Sequence, residues 1–225
     1  MPLRLSRYQL LATDYDDTLA TNGRIAPEVI DGLRRLRAAG RRVVLVTGRE
    51  LNDLLNVCPE VELFERVVAE NGAVVYRPAT GETLLLADPP PRAFCDLLRR
   101  KGVPFSAGRV IVGTHVPHEE QVLEAIRKLG LELQVIFNKG AVMVLPTGVN
   151  KATGLQVVLD DLRLSPARVI GVGDAENDHA FLALCGCGVA VANAIPSLKK
   201  EADLVTHAKS GRGVLEIIEG LLAPA

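Results

Sequence analysis

At 225 residues the chain can bury a substantial core, either as one large domain or as a main domain carrying a smaller insert. A composition of 48% apolar and 24% charged residues argues against intrinsic disorder. Its 26 Lys and Arg against 27 Asp and Glu leave a net charge of −1, without the basic surplus that nucleic acid would call for.

The opening stretch MPLRLSRYQLLATDYDD holds an apolar run of only a few residues before Asp14. That is too short for a signal peptide or a membrane span, so a cytoplasmic location without a membrane partner is expected. The first strand is QLLAT, at 9–13. A helix follows over Pro27–Ala39, with Val29, Ile30, Leu33 and Leu36 on one face and Gly40 as its stop. RVVLVT (42–47) and RVVAE (66–70) read as further strands, and Asn71-Gly72 marks a tight hairpin that takes an antiparallel excursion out of the sheet. After the turn-rich DPPPR come helices at 92–101 and 118–129, a strand at 109–114, and a strand pair, LELQVIFN and AVMVLP, joined at Lys139-Gly140. The chain then returns to helices at 152–162, 177–184 and 212–222, between strands RVIGVGD (168–174), GVAVA (188–192) and DLVT (203–206). These strands are apolar throughout, as suits a parallel sheet covered on both faces, and the expected fold class is α/β. Residues from about 84 to 148 form a small α+β insert between its halves. Cys58, Cys95, Cys185 and Cys187 lack zinc-site spacing and read as small buried residues, with a zinc site or a disulfide the lesser alternative.

Ligands of open α/β sheets bind at the carboxyl ends of the strands. Asp14 and Asp16 follow the first strand, Thr47, Gly48 and Arg49 the second, and GDAEND a later one, with Asp174, Asn177 and Asp178; Lys151 lies just past the insert. Carboxylates crowded at a strand end raise one another's pKa, a conflict that a hard divalent ion or a shared proton relieves, and Asp14 with Asp174 makes a suitable ligand set for Mg2+. Taken singly, each feature has a plainer reading: a polar Asx turn for DYDD, a strand-to-helix turn for VTGR, a solvated lysine, and a helix N-cap in GDAEND. GVGDAE fails as a dinucleotide fingerprint because Glu176 stands where the third glycine belongs.

In order, the acid pair, the threonine, the lysine and the second acid pair resemble the four motifs of the haloacid dehalogenase (HAD) superfamily, and GVNKATGL…RVIGVGDAENDHAFLALCGCGVAVANAIPSLKKEADLVTHAKSGRGV carries the likeness furthest. The chain is similar to the Cof-type, subclass IIB phosphatases. That resemblance implies a Rossmann-like parallel-sheet core (1–83 and 149–225) with a smaller α+β cap domain (84–148). It implies an Mg2+-dependent phosphatase for a small phosphorylated metabolite such as a sugar phosphate or phosphoglycolate, with Asp14 as nucleophile forming an aspartyl-phosphate and Asp16 as general acid and base. Asp14 and Asp174 would hold the metal, with Asp16 contributing its backbone carbonyl. Asp178 would orient Lys151 or a metal-bound water. Thr47, the Gly48 amide and Lys151 would contact the phosphoryl group, with Asn177 and Asn193 as weaker supports and Arg49 as an auxiliary. The family pattern DxDGT has glycine where this chain has Asp17, whose side chain is expected to point away from the phosphate. In the cap, Arg109, His115, Asn138 and Lys139 are the polar candidates for substrate contact. From Arg92 to Lys139, eight Lys or Arg stand against five Asp or Glu, a surplus that suits an anionic substrate and equally a solvated helix face. A phosphotransferase or mutase using the same phospho-aspartate is the rival enzyme, and a receiver-like phosphate-binding module the rival without catalysis. Oligomeric state is not legible.

Overall fold

The computed structural model describes residues 5–224. Residues 1–4, which enter the reading of the N-terminus as free of a targeting signal, lie outside them. In chain order the strands of the main sheet are β1 (Leu10–Thr13), β2 (Arg42–Val46), β3 (Arg66–Ala69), β4 (Val74–Arg77), β5 (Glu82–Leu85), β10 (Val169–Gly173), β11 (Cys187–Ala190) and β12 (Leu204–Val205), those of a second sheet β6 (Ser106–Ala107), β7 (Val112–His115), β8 (Leu133–Asn138) and β9 (Ala141–Pro146). The helices are α1 (Pro27–Ala38), α2 (Leu51–Val57), α3 (Arg92–Arg100), α4 (Glu119–Leu129), α5 (Lys151–Asp161), α6 (His179–Leu184), α7 (Pro196–Glu201) and α8 (Ser210–Leu222).

The main sheet runs β12-β11-β10-β1-β2-β3-β4-β5, parallel as far as β3, and the second sheet runs β6-β7-β9-β8, antiparallel throughout. The α/β class is as expected. Strands β1, β2 and β10 are buried nearly end to end, which is why their sequences do not alternate. Helix α1 starts at Pro27 after an extended Ala26 and stops before Gly40 at φ +77°, burying Val29, Leu33 and Leu36. No helix among the described residues is long and apolar enough to cross a membrane. All four cysteines are free of disulfides, and none belongs to a cluster of metal-ligand side chains among the described residues.

The chain around Asn71-Gly72 does not leave the sheet: β4 and β5 extend it as an antiparallel margin. Nor is the connection a two-residue hairpin. Glu70, Asn71 and Gly72 all take positive φ, at +52°, +55° and +106°, and both non-glycine side chains are fully buried. A left-handed run of that kind costs free energy, and the buried contacts described below hold it in place.

Between β5 and α5 the second sheet packs one face on α3 and α4, with Phe94, Leu97, Leu98, Val112, Val122, Ile126 and Val144 forming an apolar cluster of their own. Ile111, Met143 and Leu145 turn the other way and join the core of the main sheet. The strand expected at 109–114 begins at Val112 because residues 109–111 are committed elsewhere, as their amides show.

Candidate active site

The loops after β1, β2 and β10 meet at one end of the main sheet, and the second sheet faces them across a cavity of about 690 Å3. Asp14, at the end of β1, is 5% exposed. Lys151, 1% exposed, donates to Asp14 Oδ1 and to Asp178 Oδ1, both at 2.6 Å. The helix start that delivers Lys151 is well specified: Asn150 Oδ1 accepts from the amides of Ala152 and Thr153, and the Thr153 hydroxyl accepts from the Asn150 amide, so α5 begins at the lysine.

Asp178 does not cap α6, contrary to the plainer reading. Its other oxygen, Oδ2, accepts from the amides of Asp174 and Ala175 at 2.8 and 3.0 Å, tying the lysine's anchor to the loop after β10. Asp174 accepts the Thr18 hydroxyl at 3.0 Å and also the Lys139 ammonium. Carboxylate oxygens of Asp14, Asp174 and Asp178 lie within 4.8 Å of one another. Burial raises the pKa of Asp14, the Lys151 ammonium pulls it partly back, and Asp178 and Asp174 push it up again. Burial likewise raises Asp174. Hard oxygen donors crowded together and buried, three carboxylates to two ammonium groups, suit a divalent cation of the Mg2+ type. The residues fit such an ion.

Asp16 takes a different course. Its carboxylate is held by Arg49 through two hydrogen bonds of 2.7 and 2.8 Å, and it stands apart from the buried trio. The charge conflict expected between Asp14 and Asp16 is therefore resolved by a guanidinium, and the unresolved crowding lies among Asp14, Asp174 and Asp178. Arg49 also pairs with Asp53 and lies over the Tyr15 ring. Thr47 is buried and accepts the Arg49 amide at 3.1 Å; Gly48 lines the cavity with Asn177.

Of the candidates in the second sheet, His115, Asn138 and Lys139 line the cavity. Arg109 does not: it borders a separate groove beside Arg92 and Asp96. Asn193 is also absent from the lining, and it donates to the Asp17 carbonyl and accepts the Ser210 amide at 2.8 and 2.7 Å, tying the loop after β1 to the start of α8. Asp17 has the left-handed backbone that glycine would accept freely, φ +57°. Its side chain lines the cavity and receives the Lys139 ammonium at 2.8 Å. Burial works against the charge on Lys139, but the Asp17 and Asp174 carboxylates more than offset it, so its pKa is raised.

Sequence reasoning missed Glu70 and Asn71. Glu70, fully buried, accepts the amides of Arg109, Val110 and Ile111 at 2.9, 2.7 and 3.0 Å, a backbone nest that ties the second sheet to the end of β3. Asn71 Oδ1 accepts from Asn177 Nδ2 at 2.9 Å. The one signal available was the Glu-Asn-Gly triplet itself, which marks a turn without saying that its side chains face inward.

Residues 11–99 and 105–218 match the haloacid dehalogenase-like hydrolase family. The chain belongs to that family. It is 35% identical over 219 residues to a phosphoglycolate phosphatase of Haloarcula marismortui, covering 92% of this chain and 95% of that one. A phosphoglycolate phosphatase of Methanothermobacter thermautotrophicus is 33% identical over 218 residues, with coverage of 92% and 96%. The fold matches that of a haloacid dehalogenase-like hydrolase from Bacteroides thetaiotaomicron with a TM-score of 0.80 at 21% identity, over 94% of this chain and 98% of that one. Membership of the family accords with the expectation of a phosphoric monoester hydrolase and not with that of a receiver-like module.

Proposed function

We propose that the chain is an Mg2+-dependent phosphatase of a small phosphorylated metabolite, acting through a phosphorylated Asp14, with residues 84–148 serving as its cap domain. The observation that carries this reading is the Asp14 carboxylate, which lines the cavity with one oxygen held by the buried Lys151 ammonium. Lys151 fixes the nucleophile's orientation and stabilises negative charge as it moves onto the phosphoryl oxygens. Asp178, with both oxygens occupied, is the lysine's positioning residue. The Gly48 amide and the Asn177 side chain supply donors toward the phosphoryl group. Mg2+, held by Asp14 and Asp174, would supply further positive charge against the phosphate.

As the proton shuttle, Asp16 protonates the leaving alcohol and then takes a proton from the attacking water. It exchanges its Arg49 clamp for the leaving oxygen to do so. A cavity closed by the second sheet favours a small substrate over a phosphoprotein, and the relatives' names make phosphoglycolate the first compound to try. Hydrolysis of p-nitrophenyl phosphate with Mg2+ tests the activity: turnover is expected for the parent and none above background for Asp14→Asn. Equal rates for the two would sink the mechanism, and a panel of phosphorylated metabolites then ranks substrates. Added alcohols that divert phosphate from water would redirect the reading to a phosphotransferase.

A further inference from the structure

The tip of the β8–β9 hairpin places the Lys139 side chain in the cavity from the cap side. Lys139 at φ +46° and Gly140 at φ +87° make a tight reversal that aims the lysine at the strand ends of the main sheet. Its ammonium reaches Asp174 Oδ2 and Asp17 Oδ2, and its amide donates to Glu176 Oε2 at 3.3 Å. A single cation thus joins the hairpin to the loops after β1 and β10. Among the described residues, Lys139 is the partner the Asp17 carboxylate has, and Asp17 lies outside the buried carboxylate trio.

We propose that Lys139 is an internal counter-ion that occupies Asp174 until a divalent cation takes that carboxylate, and that Asp17 is the positioning residue that then keeps the ammonium at the mouth of the site. An ammonium and a divalent ion on the same carboxylate repel each other strongly at contact distance. Metal arrival therefore costs Lys139 one of its two partners. A glycine at 17 would leave the hairpin tip with no side-chain anchor at that moment; the aspartate retains it, with its charge toward an incoming phosphate. The inference rests on the reading of Asp174 as a metal ligand.

Calorimetric titration of the full chain with Mg2+, without substrate, tests the first half. Lys139→Met removes the competing cation and should tighten Mg2+ binding about tenfold; an unchanged or weaker affinity overturns the counter-ion role. Steady-state kinetics on p-nitrophenyl phosphate at saturating Mg2+ test the second. Asp17→Asn keeps a residue at ease with positive φ. It should raise KM roughly threefold to fivefold, with a smaller change in kcat, and should have no effect on KM in the Lys139→Met background. The same effect of Asp17→Asn in both backgrounds, including none in either, would assign Asp17 to the turn alone and overturn its positioning role. The calorimetric arm needs no turnover, so an inactive parent would count against the phosphatase mechanism and leave the counter-ion role to be judged. Undiminished Mg2+ affinity in Asp174→Asn would remove the ligand on which this inference stands.

Discussion

A buried ammonium is tolerated only when its partners are in place, and Lys151 has two, at 2.6 Å each. Lys151→Met should therefore do two things: abolish detectable turnover and, by leaving buried carboxylates uncompensated, lower stability by about 3–5 kcal/mol, read as a fall in the urea midpoint. Asp16 makes the contrasting case, because its carboxylate is partly exposed and belongs to an ion pair with Arg49. Asp16→Ala should leave the affinities for Mg2+ and inorganic phosphate within about twofold while cutting turnover roughly a hundredfold or more, the usual worth of a positioned acid-base group. Parental turnover in that variant would remove Asp16 from the proton transfer. At this scale much of the site was legible in the sequence, since Asp14, Thr47 and Asp174 each sit where a strand ends and Asp178 follows at the start of the next helix. Arg49 was undervalued because the sequence shows that an arginine follows the second strand but not which acid its guanidinium grips. Asp17 could be placed in the left-handed region from its motif position, yet its partner, Lys139, is remote in the chain and unreadable from local pattern.

Among the elements, the turn after β3 carries the most information that the sequence hid. A Cβ added to Gly72 would lie 1.9 Å from the Asn150 carbonyl oxygen, at a backbone φ of +106° that other residues avoid. Gly72→Ala should displace the start of α5, and with it Lys151; a loss of about 3 kcal/mol or more in urea unfolding, accompanied by a drop in kcat, is expected. Beside it, Glu70→Ala removes the acceptor for three amides in a fully buried position. Unmet buried amides of that kind cost about 1–3 kcal/mol each, partly recovered if water enters, so the variant should open the link between the sheets to limited proteolysis. Cleavage no faster than in the parent would contradict that role. Periodicity made the helices and the buried parallel strands readable, because burial on one or both faces leaves a mark every few residues. It could not reveal β4 and β5 as a margin of the main sheet, since a hairpin and a sheet extension have the same local sequence.

For the molecule as a whole, the sheet and the insert behave as two apolar clusters joined through Ile111, Met143 and Leu145. On the proposed role of Asp14 and Asp174 as ligands that come together in the folded chain and not in the unfolded one, Mg2+ at a hundred times its dissociation constant should add about 2.7 kcal/mol of stability. Melting curves with Mg2+ and with EDTA would measure it, and Asp174→Asn should lose most of the gain; equal melting temperatures in the parent under both conditions would deny the ion a place there. The attachment at Glu70 reaches further than stability. It recognises three backbone amides, and amides are common to every sequence, so the carboxylate can mount unrelated segments provided each offers a loop of the same shape. A lineage changing its diet of substrates could trade the walls of the cavity for new ones and leave the mounting, and the phosphate end of the site behind it, untouched.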